Sequence, residues 1–325
     1  MSARVEVVVG IDLGGTSMRA GALDRQGNLL SWLESPMEAS RGPQQGIERI
    51  QALVAAALQQ AGDARLLGIG IGCTGPLDRR RGAIQNPYTL PTWEDVDILA
   101  PLRRRFGVPA VLENDADAAA LGEYWLGAGQ GVSHLAVVTV GTGIGFAFVY
   151  KGEILRGLGD AHPDAGHQVI DPSGPPCYCG ARGCWESLAS GPAIARMGRE
   201  AAGLHPGSRL AALVSGDLNV IQAETIVQAA GQGDPLAQEV VAKAAHYLAL
   251  GLVNVVVFFI PEVILLGGGV MQRYDLFRPA VEEALQRHNV MVPAAQVQVR
   301  PVQLEGRAGV FGAAYAILKE LESIE

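Results

Sequence analysis

The sequence predicts a two-lobe α/β protein, and three observations carry that reading. An apolar run, Val7-Val8-Val9-Gly10-Ile11, delivers Asp12 and the pair Gly14-Gly15 into a tight turn, and a second strand, 19–23, leaves it at once. The same device returns in mid-chain, where Leu135–Val140 ends in Gly141-Thr142-Gly143-Ile144-Gly145 and 146–150 runs on as the next strand. Around both copies, helices of amphipathic spacing alternate with buried strands that end in glycine turns, the pattern of an α/β arrangement. A repeated supersecondary unit implies two related halves, and 325 residues with 49% hydrophobic content suffice for about two domains.

The turns themselves suggest chemistry. Glycine permits close backbone approach and unusual φ, so the amides of Gly14, Gly15 and Thr16 can face an anion. Asp12, at the end of its strand, is placed to hold magnesium directly or through water. The spacing lacks the lysine of a Walker loop, and no helix follows as a dinucleotide fingerprint requires. Taken alone, the first hairpin is equally an ordinary glycine turn; the second copy is what separates it from one.

In chain order, 46–61 carries apolar residues (Ile47, Ile50, Leu53, Val54, Ala57, Leu58) at helical spacing, and 66–73 is a buried strand ending in Thr74-Gly75-Pro76. A proline-punctuated loop, Asn86–Trp93, leads to a helix at 98–106 and a short strand, 108–115, ending in Glu113-Asn114-Asp115. An alanine-rich helix follows over 116–126, for which Asn114 or Asp115 is a natural N-cap. A carboxylate on such a rigid strand-to-helix junction is also well placed to take a proton from a bound hydroxyl. After the second hairpin, the 160–186 loop holds Cys177, Cys179 and Cys184, with His167 upstream. Three sulfurs and an imidazole complete a tetrahedral zinc with no open position, so the spacing predicts a structural metal that pins an irregular loop. Helices follow at 193–201, 223–230 and 235–257, the last opened by Asp234-Pro235. A strand at 262–266 ends in Gly267-Gly268-Gly269, a last strand covers 297–302, and a terminal helix opens at Ala308, expected to pack back on the N-terminal lobe.

A net charge of −8 argues against a nucleic-acid surface, and the runs Arg79–Arg81 and Arg103–Arg105 are short enough to be solvated faces. The chain enters a strand within a few residues, which leaves no secretory leader in view. The apolar stretch 247–260 is too short and interrupted for a membrane span and reads as a buried helix. Three of four cysteines cluster as metal ligands, and Cys73 sits alone in an apolar strand as a core residue; that usage points to a reducing, cytoplasmic setting.

Asp12-Leu13-Gly14-Gly15-Thr16 together with Gly141-Thr142-Gly143 resembles the two phosphate loops of the sugar kinase, Hsp70 and actin superfamily. Cys177-x-Cys179-Gly180-x-x-Gly183-Cys184-x-Glu186 narrows the resemblance to the ROK family (repressors, open reading frames and sugar kinases). It implies an actin-like ATPase (ribonuclease H-like) fold with a cleft between a small lobe, 1–117 plus about 305–325, and a large lobe, 118–304, that carries the zinc loop. It implies ATP-dependent phosphorylation of a hexose at its 6-hydroxyl, with ATP, magnesium and structural zinc as cofactors. Asp115 would be the general base, and Asn86, Asn114, Asp164, His167 and Glu186 would join it in binding sugar. ATP would lie on Asp12, Gly14, Gly15, Thr16, Gly141, Thr142 and Gly143, with Gly267 and Gly268 against the adenosine; zinc would take His167, Cys177, Cys179 and Cys184. The Gly75-Pro76 turn would line the sugar cleft and Trp93 would serve packing. A homodimer or higher homo-oligomer is the family expectation, with no nucleic-acid or membrane partner.

Three departures bear on the sugar. Thr92 stands where glycine is frequent, Asp164-Ala165-Gly166-His167 replaces Glu-x-Gly-His, and Phe146-Ala147 follows Gly145 where glycines usually continue, so that a phenyl group narrows what the hairpin faces. Glucose is the first expectation, with N-acetylmannosamine, mannose, allose and fructose as alternatives. Repressors of the family carry a helix-turn-helix before the phosphate loop, whereas Asp12 here follows eleven residues in an acidic chain. A sugar sensor without turnover is the remaining alternative class.

Overall fold

The N-terminal apolar run forms β1 (Val5–Leu13), in which Val7, Val8, Val9 and Ile11 are fully buried. In the computed structural model, which describes residues 4–87 and 89–324, β1 pairs antiparallel with β2 (Ser17–Asp24), and β2 with β3 (Leu29–Pro36). On its other side β1 pairs parallel with β4 (Ala64–Cys73), reached through α1 (Pro43–Gln60), whose Ile50, Leu53, Val54 and Ala57 face the core. The chain then makes a small antiparallel sheet, β5 (Leu77–Asp78), β6 (Ala83–Ile84) and β7 (Val96–Asp97), followed by α2 (Leu99–Phe106). It returns to pair β8 (Ala110–Asn114) parallel with β4 before α3 (Asp115–Leu126). Tyr88, in the expected 86–93 loop, lies outside the described residues.

The second glycine hairpin is β9 (His134–Val140) and β10 (Ile144–Tyr150), followed by β11 (Glu153–Ile154). Helices α4 (Trp185–Ala189), α5 (Gly191–Leu204), α6 (Arg209–Leu213), α7 (Ala223–Gly231) and α8 (Pro235–Phe259) come next. Then β12 (Val263–Gly267), α9 (Arg278–Arg287), β13 (Gln298–Pro301) and α10 (Ala308–Ile324) complete the chain. The strand orders are β3-β2-β1-β4-β8 and β11-β10-β9-β12-β13. In each, the strand that ends in the glycine turn sits centrally, with its hairpin partner on one side and a strand reached by helical crossover on the other. The repeat read from the glycine turns is therefore a repeat of sheet topology.

The chain divides into two units. One comprises residues up to Ser133, Ala147–His162 and residues from Gln303; the other comprises His134–Phe146 and Pro163–Val302. This differs from the expected division at 117/118, because α3 and the 147–162 segment belong with the first unit. The physical reason is the packing of α3 along α10: a Cβ at Gly312 would fall 1.5 Å from the Ala118 carbonyl oxygen, so the two backbones touch with no room for a side chain. Gly70 repeats the device between β4 and α10, 1.8 Å from the Ala313 oxygen. At the far end of α3, the fully buried Glu123 accepts hydrogen bonds from the Gln303 and Leu304 N–H groups at 3.0 and 2.7 Å, tying the returning chain to the same helix.

Among the described residues α8 is the one helix long and apolar enough to cross a membrane by length and composition, and most of it is buried. Its last turn departs from the expected buried helix, with Val257 and Phe258 exposed, as is Ile260 just beyond its end.

Candidate active site

In the first unit, the β1–β2 turn closes through the Gly14 N–H on the Ser17 carbonyl at 3.0 Å and leaves Thr16 exposed at its tip. Neither glycine adopts a positive φ. Close approach is what requires Gly15, where a Cβ would lie 2.7 Å from the Thr89 carbonyl oxygen. Asp12 is 27% exposed, with the Arg19 guanidinium 3.7 Å away. Burial pushes its pKa from 3.8 to about 6, opposed by Arg19 and reinforced by the negative charges of Asp115 and Glu34. A carboxylate so poorly neutralised by its own protein suits a cation, and the donor set fits magnesium.

The Asn114 side chain caps α3, accepting from the Ala116 N–H at 2.8 Å and from the Asp117 N–H at 3.4 Å. Asp115 begins the helix and accepts from the Ala116 N–H at 2.9 Å, which fixes its carboxylate while one side stays open to solvent. The surrounding protein strips part of its hydration and raises its pKa; the Ala116 amide and the His162 charge oppose that rise. Asn86, expected at the sugar, is instead fully buried. Its amide donates to the Thr74 carbonyl at 3.2 Å and the Thr89 hydroxyl at 2.6 Å, so it ties the Gly75-Pro76 turn to the 86–89 loop. Trp93 is fully buried and packs against Gly46; Cys73 is a core residue.

In the second unit, the β9–β10 turn closes from the Gly141 N–H to the Gly143 carbonyl at 2.9 Å, with Thr142 exposed at its tip. Two elements hold it from below. The first N–H of α5, at Gly191, donates to the Gly141 carbonyl at 2.8 Å. Glu186, on α4, accepts from the Ile144 N–H at 2.8 Å, and a Cβ at Gly143 would lie 2.3 Å from the same carboxylate oxygen. Gly267 is buried at the end of β12, and Gly268 follows exposed at φ 90°, a left-handed position that favours glycine.

The zinc-type cluster also assembles in this unit: one donor atom each from His167, Cys177, Cys179 and Cys184 lies within 4.8 Å of all the others. Cys179 and Cys184 sulfurs are 3.5 Å apart, and Cys177 Sγ is 3.5 Å from His167 Nδ1. Zinc–sulfur bonds of about 2.3 Å give a tetrahedral edge near 3.8 Å, so the donor set fits zinc. The loop that presents it turns at Gly183, φ 65°, where a Cβ would collide with the Asp171 carbonyl oxygen at 1.5 Å. The other imidazole nitrogen, Nε2, faces the Tyr178 hydroxyl at 3.1 Å and Asp164 at 3.6 Å. Tyr178 is a neighbour that sequence reasoning missed; its place between two ligand cysteines was the available signal.

Phe146 requires a correction. Its ring is fully buried, 5.2 Å from that of Phe259, rather than narrowing the glycine turn. The alternation of β10 sends it into the core, where it helps wall a cavity of about 360 Å³ that Asp164, His167 and Phe258 also line. Asp164 itself is 61% exposed.

A ROK family model matches residues 8–320. The chain is 32% identical over 313 residues to the glucokinase of Thermotoga maritima, covering 96% of this chain and 97% of that protein. Among solved structures it is similar to the ROK hexokinase from Thermus thermophilus, with 36% identity, a TM-score of 0.83, and coverage of 97% and 99%. It is also similar to a ROK family glucokinase from Streptomyces griseus in complex with glucose and AMPPNP, with 32% identity, a TM-score of 0.78, and coverage of 95% and 98%.

Proposed function

The chain belongs to the ROK family and is a sugar kinase of actin-like ATPase fold, and from that premise we propose that it transfers the γ-phosphoryl group of ATP to the 6-hydroxyl of a hexose, glucose first. The observation that carries this reading is Asp115: a carboxylate fixed at the start of α3, open on one side, with its pKa raised by dehydration. Such a group accepts the hydroxyl proton while the oxygen attacks phosphorus in line. Phosphoryl transfer asks the protein mainly for positioning and charge compensation. The amides of Gly14, Gly15 and Thr16, and those of Gly141, Thr142 and Gly143, serve as phosphate donors, and the Gly267-Gly268 turn accommodates the nucleoside. Asp12 holds magnesium, which when bound neutralises phosphate charge. Asn114, Asp164, His167 and Glu186 orient the sugar; Asn86 acts by fixing the loop over Gly15. His167, Cys177, Cys179 and Cys184 hold a zinc that keeps the Glu186 loop in place.

A second reading, another hexose such as N-acetylmannosamine, mannose, allose or fructose, is favoured by one observation. Asp164, a methylene shorter than the family's glutamate, leans toward His167 at 3.6 Å and shares a cavity with Phe146. Coupled ADP release with MgATP across a sugar panel tests both readings. Glucose is expected to turn over best, and Asp115→Asn to lower kcat by about 10²–10⁴ with sugar binding retained. Preference for another hexose overturns the glucose assignment alone, and absence of turnover on every sugar overturns the kinase reading.

A further inference from the structure

Between two of the metal-type cysteines stands a side chain that is no ligand itself. Tyr178 is 81% exposed, yet its hydroxyl lies 3.1 Å from His167 Nε2. Its ring meets the imidazole edge to face, with centroids 5.0 Å apart and planes at 85°. The backbone that carries it is a closed turn. The Cys177 N–H donates to the Ala181 carbonyl at 2.8 Å and the Gly180 N–H to the Cys177 carbonyl at 3.1 Å, with Gly180 at φ 93°. Cys177 and Cys179, on either side, belong to the metal-type cluster. A side chain so exposed on a backbone so pinned changes place by rotating about its own bonds, while the loop stays where it is.

His167 has one ring nitrogen left to offer a ligand. Its Nδ1 is turned to Cys177 Sγ at 3.5 Å, within the donor set that fits zinc. With Nδ1 engaged there, the ring proton sits on Nε2, which then only donates. Asp164, at 3.6 Å, is beyond hydrogen-bonding distance of it. The Tyr178 oxygen is therefore the acceptor of that proton. A sugar hydroxyl offers the same chemistry, an oxygen that accepts while its own proton points elsewhere. One N–H cannot serve both oxygens at full strength.

We propose that Tyr178 is a gate on the sugar site: its hydroxyl occupies the Nε2–H of His167 in the sugar-free protein and swings away when a hexose hydroxyl takes that proton. The gate rests on the proposed sugar role of His167. Only molecules with the tyrosine swung out are competent to bind, so Tyr178 weakens sugar affinity and leaves phosphoryl transfer untouched. It sets KM rather than kcat. Its removal improves sugar binding, the opposite of what loss of a sugar contact does.

The test titrates glucose, then the other hexoses of the panel, into full-length zinc-containing protein by calorimetry without nucleotide. Wild type is compared with Tyr178→Phe and Tyr178→Ala. The dissociation constant is expected to fall about threefold in Tyr178→Phe, which keeps the ring against the imidazole, and up to about tenfold in Tyr178→Ala. The sugar KM should fall in parallel, with kcat and the ATP KM within about twofold and about one zinc per chain in all three proteins. In wild type labelled with 3-fluorotyrosine, the ¹⁹F signal that Tyr178→Phe removes should shift as sugar saturates. An unchanged dissociation constant in both variants overturns the gate, since Tyr178 then only stands beside the imidazole; a higher one overturns it because Tyr178 then holds the sugar itself. Tighter binding in a protein that phosphorylates no sugar upholds the gate and sinks the kinase reading; sugar turnover with binding unchanged in both variants does the reverse.

Discussion

Both glycine hairpins present an exposed threonine, Thr16 and Thr142, and each has a glycine that gives room to a packed neighbour, Gly15 under Thr89 and Gly143 beside Glu186. They differ in their carboxylate. In the first, Asp12 comes from the strand itself and is poorly neutralised, with a pKa near 6. In the second, Glu186 comes from a helix and is satisfied by the Ile144 N–H at 2.8 Å. One backbone device therefore serves two ends: the first turn holds charge available for a cation, and the second holds geometry, joined through Glu186 to the metal-type loop.

The sharpest way to break this contrast is Asp12→Asn, which is expected to lower kcat by about 10²–10³ while raising the Tm of metal-free protein at pH 7.5 by about 2–4 °C. The sign follows from linkage. The native Asp12 keeps its proton up to about pH 6 and the unfolded chain only to about 3.8, so the native state binds more protons in that window and loses stability as pH rises through it. The gain in Tm from asparagine should therefore shrink below pH 5, as thermal melts at both pH values would reveal. Equal gains at both would mean that Asp12 carries no buried charge.

Next in size is Cys184→Ser. Elemental analysis is expected to find about one zinc per wild-type chain and none in the variant, with stability reduced by about 2–3 kcal/mol or more. Because Glu186 lies two residues on, KM for sugar should rise with the loss of metal; an unchanged KM would separate the loop from the sugar. The smallest effect tests the second turn alone. Gly143→Ala pushes methyl into the Glu186 carboxylate and should cost about 1–3 kcal/mol. Gly141→Ala meets nothing within 4 Å and should stay within about 0.5 kcal/mol in denaturant melts.

Much of the first unit was legible in the chain. The buried strands, the amphipathic α1 and the Asn114 cap follow from periodicity and capping chemistry, both local, as does the long helix of the second unit opened by Asp234-Pro235. The short strands β5 to β7, the half-exposed β3 and α9 were not read, because two-residue strands and mixed faces leave no periodic signal. The lobe boundary was misplaced for a related reason: nothing near Ala118 announces that α3 packs backbone to backbone on a helix almost two hundred residues later.

By itself the sequence determined the local devices: two strand–glycine–strand turns, a carboxylate at a strand-to-helix junction, and four metal-type ligands at tight spacing. These depend on residues close in the chain, where φ preference, alternation and ligand geometry act directly. The tertiary structure alone decided how the devices are held. It turned Asn86 into a buried tie, sent Phe146 into the core against Phe259, aimed Glu186 at the Ile144 amide, and set His162 on Asp117 in the first turn of α3. Each of those contacts joins segments that are distant in sequence, and a buried polar group takes whichever partner the packing brings to it.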